Sequence, residues 1–84
     1  MDVHDKQLYE FLGAHIRERR HSLQMTQAYL AQQVGLLRSS IANIEAGRQR
    51  ITVHVLYHLC EVLGLDMATT LSTPALAETR KPAP

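Results

Sequence analysis

The chain is short of several things, and each shortage closes a line of interpretation. Its 84 residues include one cysteine. A lone thiol builds neither a disulfide framework nor a cysteine-rich metal site, and it fits a reducing compartment. No apolar run reaches the roughly 18 residues that a membrane-spanning helix needs. The opening MDVHDKQLYE is acidic and polar, the wrong composition for a signal peptide, so a cytoplasmic protein is expected. No stretch of useful length alternates as a half-buried strand does. Proline is absent before residue 74, and all three prolines fall in TPALAETRKPAP, so residues 74–84 read as a flexible tail behind one domain of residues 1–73. The sequence has no phosphate-cradling glycine loop, no Ser/His/Asp arrangement and no strong metal set, so neither an enzyme nor a cofactor is expected.

Net charge is also scarce, at +1, but its distribution is uneven. Residues 1–12 set Lys6 against Asp2, Asp5 and Glu10. Residues 13–50 set Arg17, Arg19, Arg20, Arg38, Arg48 and Arg50 against Glu18 and Glu45. Residues 51–84 set Arg80 and Lys81 against Glu61, Asp66 and Glu78. The basic excess is therefore central and made of arginine, the side chain suited to two-pointed contacts with phosphate or guanine. A solvated surface with scattered arginines is the plain alternative.

What the chain does contain is helical periodicity. Leu8, Phe11, Leu12 and Ile16 mark a first helix from about Asp5 to His21, in which Gly13 permits a close approach. Thr26 caps a second helix whose buried stripe is Leu30, Ala31 and Val34 and which Gly35 ends. A third helix runs from about Arg38 to Ala46, with Ile41 and Ile44 inward. Thr52 caps a fourth, Val53 to Leu63, ended by Gly64. Its inward face is Val53, Leu56, Leu59, Cys60 and Leu63. DMATTLS forms a short fifth helix with Asp66 as its cap. The fold class is all-α.

Residues 27 to 46 form a unit of two short helices joined by a glycine turn, with Leu30, Val34, Leu36, Ile41 and Ile44 as the shared core. Such a helix-turn-helix projects its second helix as a rod of the width that a DNA major groove admits. Here MTQAYLAQQVGLLRSSIANIEAGRQRIT resembles the phage lambda repressor and Cro family, also called Xre-like. The shared features are T-Q-x-x-L-A, the turn glycine followed by an apolar residue, S-x-I-x-x-I-E-x-G, and the late pair Leu63 and Gly64. The similarity spans about residues 12 to 71.

The resemblance implies a five-helix lambda-repressor-like domain whose third helix reads double-stranded DNA. Arg38, Ser39 and Asn43 would face the bases, with Ala42 between them, while Gln27, Ser40, Arg48, Gln49 and Arg50 would touch phosphates. Arg20 and Glu45 match a structural ion pair tying helix 1 to helix 3. Two positions depart from the pattern. Leu37 stands where Ser or Thr usually caps the reading helix; it either buries against helix 2 or touches a thymine methyl group, and its chemical type favours burial. Ala46 replaces a polar residue that binds phosphate in relatives.

His54, His58 and Glu61 share one face of helix 4, read as solvated rather than as a metal site, and Cys60 as a core residue. Val55 and Val62 make a surplus apolar stripe that Leu65, Met67 and Leu71 continue, and such a surplus suggests a partner. The alternative is that the fifth helix folds back over it. Dimerisation through this region, which the resemblance implies, would set two reading helices about 34 Å apart on a near-palindromic operator. The expected function is a sequence-specific homodimeric regulator, with autorepression suiting a chain that has no sensing domain. The alternative is an antitoxin or interaction module that works mainly by contact with a toxin or other protein.

Overall fold

The computed structural model of the protein describes residues 1–72 and is helical throughout that span, with no strand. The helices are α1 (Val3–Ser22), α2 (Gln27–Val34), α3 (Arg38–Glu45), α4 (Val53–Leu63) and α5 (Met67–Leu71). The tail expected over residues 74–84 lies outside the described residues. None of these helices is long and apolar enough to cross a membrane.

Local capping chemistry sets most boundaries. Thr26 Oγ1 accepts the Tyr29 N–H at 3.0 Å and opens α2, and Gly35, at φ 70°, closes it in the left-handed conformation. Asp66 opens α5 by accepting the Thr69 N–H at 2.9 Å. Asp2 does the same for the Asp5 N–H, so α1 starts at Val3, two residues before the expected Asp5. Thr52 occupies the cap position of α4 without performing the expected bond. Its hydroxyl turns instead to within 3.3 Å of His54 Nδ1.

Ile16, Leu30, Ala31, Ile41, Ile44, Leu56, Leu59, Cys60 and Leu63 form one core cluster fed by the first four helices. Two residues expected on inward faces are exposed instead. The buried face of α1 runs through Leu12, Gly13, Ile16 and Arg20, and Phe11 is rotated off that line and exposed. Val53 opens α4 and is 76% exposed, so the inward face of that helix begins at Leu56.

The first helix holds the others by both apolar and polar contacts. Arg19 Nε donates to the Leu63 carbonyl at 2.8 Å, placing a cation at the negative end of the α4 dipole. Gly13 lets α1 lie directly against the end of α3. A β-carbon there would collide with the backbone carbonyl oxygens of Ile44 and Glu45. Gly13→Ala therefore overpacks a backbone-to-backbone contact, at a cost of about 1–3 kcal/mol or more. The gain in helix propensity, roughly 1 kcal/mol, is smaller. The expected outcome is net destabilisation, read as a lower urea midpoint at unchanged slope.

Candidate nucleic-acid interface

The turn Gly35-Leu36-Leu37 sets the angle between α2 and α3. The Leu36 N–H donates to the Ala31 carbonyl at 2.9 Å, which folds the chain back on α2, and the Leu36 side chain packs against the core. Leu37 then adopts an extended conformation and points outward. It is 73% exposed, so the expectation that it buries against α2 is corrected: Leu36 takes the inward position and leaves none for its neighbour. As a leucine it supplies no side-chain cap to α3.

Ile41, Ile44 and Glu45 are the buried side of α3. Around the helix from them, Arg38 and Ser39 are exposed, while Ser40, Ala42 and Asn43 are half-buried. The four residues Arg38, Ser39, Ala42 and Asn43 thus share one accessible face, as their spacing implies.

Behind this face lies a polar chain that crosses three helices. Arg20 Nε donates to Glu45 Oε2 at 2.7 Å and Arg20 Nη2 to Glu45 Oε1 at 2.9 Å, a two-pointed pair with side-chain exposures of only 8% and 3%. Arg20 Nη1 also donates to the Met25 carbonyl at 2.7 Å. Hydrogen bonding to Glu45 raises the Arg20 pKa above its ordinary value, so the guanidinium keeps its charge. Gln27 Nε2 donates to Glu45 Oε1 at 3.1 Å, and Gln27 Oε1 accepts from Arg38 Nη1 at 3.0 Å. The buried ion pair is thereby connected, through one amide, to the first side chain of the accessible face of α3.

This arrangement alters the setting of Gln27. The family resemblance implies a phosphate contact for it, but its amide is bonded at both ends within the protein. One amide hydrogen and the backbone N–H at the start of α2 remain for an external acceptor. The bridge was not visible in the sequence, because it links the first residues of two helices and follows no helical period. The loop after α3 folds back onto the end of that helix, the Arg48 N–H donating to the Asn43 carbonyl at 2.9 Å. Arg48 and Arg50 are exposed there and Gln49 is half-buried. Arginine charge consequently collects outside, while the acid on α3 is neutralised within.

On α4 the His54 and His58 rings meet edge to face at 6.4 Å, and His58 Nδ1 lies 3.2 Å from Glu61 Oε1. The surplus stripe is only half-buried: Val55, Val62, Leu65, Met67 and Leu71 all lean against the core while keeping part of their surface in solvent. The short α5 packs on α1 and α4 and so covers some of it.

Five helices with a buried arginine–glutamate pair and an outward third helix define a lambda-repressor-like helix-turn-helix fold. A family model described as a helix-turn-helix domain matches residues 12–72, and the chain belongs to that family. Among solved structures, the clp gene regulator ClgR from C. glutamicum is 27% identical. The match covers 88% of this chain and 94% of that one, at a TM-score of 0.72. The restriction-modification controller protein C.AhdI from Aeromonas hydrophila is 26% identical over 82% of this chain and 99% of its own, at a TM-score of 0.73. The same fold also forms 38% of the FeII HppE chain solved with substrate, matching 79% of this chain at 25% identity and a TM-score of 0.70. No curated protein matches the sequence.

The buried pair yields a direct test. Glu45→Ala strands the Arg20 guanidinium and is expected to cost about 3–5 kcal/mol, a large share of the stability of a domain this size. Replacing Arg20 and Glu45 together by apolar residues of similar volume is expected to cost less than either single change. Chemical unfolding of the three variants checks this strong non-additivity.

Proposed function

We propose that the protein is a sequence-specific regulator that binds double-stranded DNA as a homodimer and represses transcription from a near-palindromic operator, its own promoter included. The observation that carries this reading is the outer face of α3, where Arg38, braced by Gln27, begins a row continued by Ser39, Ala42 and Asn43. A braced guanidinium still has several N–H donors for the O6 and N7 of guanine, and the Asn43 amide matches the N6 and N7 of adenine. Exposed Leu37 flanks this row with an apolar surface suited to a thymine methyl group. Ser40, Arg48, Gln49 and Arg50 border it as phosphate contacts that set register and affinity, and Gln27 adds its spare N–H groups. ClgR and C.AhdI, described as a gene regulator and a controller protein, support a regulatory role for a chain of this fold.

The dimer contact is assigned to Val55, Val62, Leu65, Met67 and Leu71, whose remaining exposed surface is apolar and contiguous with the core. A second reading, a module that acts mainly by binding a toxin or other protein, is favoured by exposed Val53 and Tyr57, four apart on α4, at 76% and 52% exposure.

Selection from a random duplex pool near physiological salt tests these readings. The expected product is a two-fold motif with half-sites about one turn, roughly 34 Å, apart, bound by two chains per duplex in sedimentation. On that site Arg38→Ala is expected to cost about 1–3 kcal/mol and to relax one base position. Arg48→Ala is expected to weaken all sequences alike and to lower the salt slope by about 1. If Arg38→Ala and Asn43→Ala leave regulation intact in cells, the protein-contact reading replaces this one.

A further inference from the structure

Beside the reading face lies a cleft of about 230 Å³ lined by Arg17, Arg20, Gln27, Ala42, Glu45 and Ala46. It runs between α1 and the C-terminal half of α3. Arg17 and Arg20, three apart on α1, share the side of that helix turned to the cleft. Their situations differ. Arg20 is buried and its donors are occupied by Glu45 and the Met25 carbonyl. Glu45 in turn is held by Arg20 and Gln27. Arg17 is exposed and forms no ion pair among the described residues. The cleft therefore carries one uncompensated positive charge. Ala42 and Ala46 keep it open, because neither side chain extends beyond a β-carbon.

We propose that Arg17 grips a DNA backbone phosphate at the mouth of this cleft, a contact that rests on the reading of α3 as the groove-inserted helix. A helix seated in a major groove about 12 Å wide lies between two sugar-phosphate ridges. The residues on its outward face meet base edges, and those on the neighbouring helix beside it meet a ridge. Arg17 lines the cleft together with Ala42, a member of the base-reading row, and so stands beside that row. The Gln27 amide, with a hydrogen to spare, adds a second donor on the same rim. A guanidinium with its fork unoccupied is the side chain that phosphate oxygens bind in two places. The cleft cannot take a second cation without repulsion, and the charge of Glu45 is already offset by Arg20, with no ion pair to Arg17 among the described residues. An anion is the complementary ligand.

The experiment measures Kd against salt concentration for wild type, Arg17→Ala and Arg17→Lys. It uses two probes, the duplex enriched from a random pool and an unrelated duplex of equal length. Each phosphate neutralised contributes about −0.9 to the slope of log K against log salt. The expected result is a slope shallower by about 0.9 for Arg17→Ala on both duplexes, an unchanged base preference, and a slope restored by Arg17→Lys. Thermal unfolding, run alongside, is expected to show the same midpoint for all three. An unchanged slope with wild-type binding intact overturns the contact while leaving the role of α3 standing. A lowered midpoint with an unchanged slope overturns it in favour of a purely structural Arg17. A wild-type chain that binds neither duplex overturns this contact together with the reading of α3.

Discussion

The buried pair of Arg20 and Glu45 is the interaction on which the rest of the molecule depends. Arg20 belongs to the first helix, Glu45 to the last turn of the third, the Met25 carbonyl to the turn between the first two, and the Gln27 amide to the first residue of the second. Four groups from three helices and one turn therefore converge on a single point. Taking two charges out of water costs several kcal/mol per ion, and the attraction between them offsets this only where geometry is good and remaining hydrogen-bonding groups are satisfied. No buried side-chain nitrogen or oxygen is left without a partner among the described residues. A pair of this kind tolerates little displacement, so it locks the register of α3 against α1. Gly13 is what allows the backbones to come close enough.

The same pair shapes the outer field. A free carboxylate on α3 would oppose any polyanion, but Glu45 is turned inward and paired with Arg20. Arg17, Arg38, Arg48 and Arg50 remain outside on and around the α2–α3 unit. A net charge of +1 over the whole chain thus coexists with a basic face. Stability and electrostatics are joined here, since the bond network that holds α3 in place also hands Arg38 its orientation through Gln27. An arginine held in this way has already lost part of its rotamer freedom, which, under the proposed role of Arg38 at a base, lowers the entropic cost of binding.

Much of this was legible in the residues, for reasons that differ by element. The bounds of α2 could be read because a threonine cap and a left-handed glycine are local chemistry, confirmed at Thr26 and Gly35. The core of α3 could be read because Ile41 and Ile44 repeat at helical spacing and are both buried. The pairing of Arg20 with Glu45 came from family resemblance rather than from any local rule. Features decided by competition between neighbours were not legible. Leu36 and Leu37 are chemically identical, and only the turn geometry chooses which one enters the core. Thr52 has the right side chain for a cap but turns to His54 instead. The Gln27–Arg38 bond and the position of Arg17 beside Ala46 depend on how helices cross, which periodicity within one helix does not encode.

Titration of isotopically labelled protein with its selected duplex, followed by backbone and side-chain amide NMR shifts, tests the central claim most directly. The account predicts that the largest changes fall on Arg38, Ser39, Asn43 and the Gln27 side chain, with the Arg20–Glu45 region holding its free-state signals. Changes confined to α4 and α5, with α3 unmoved, would contradict it.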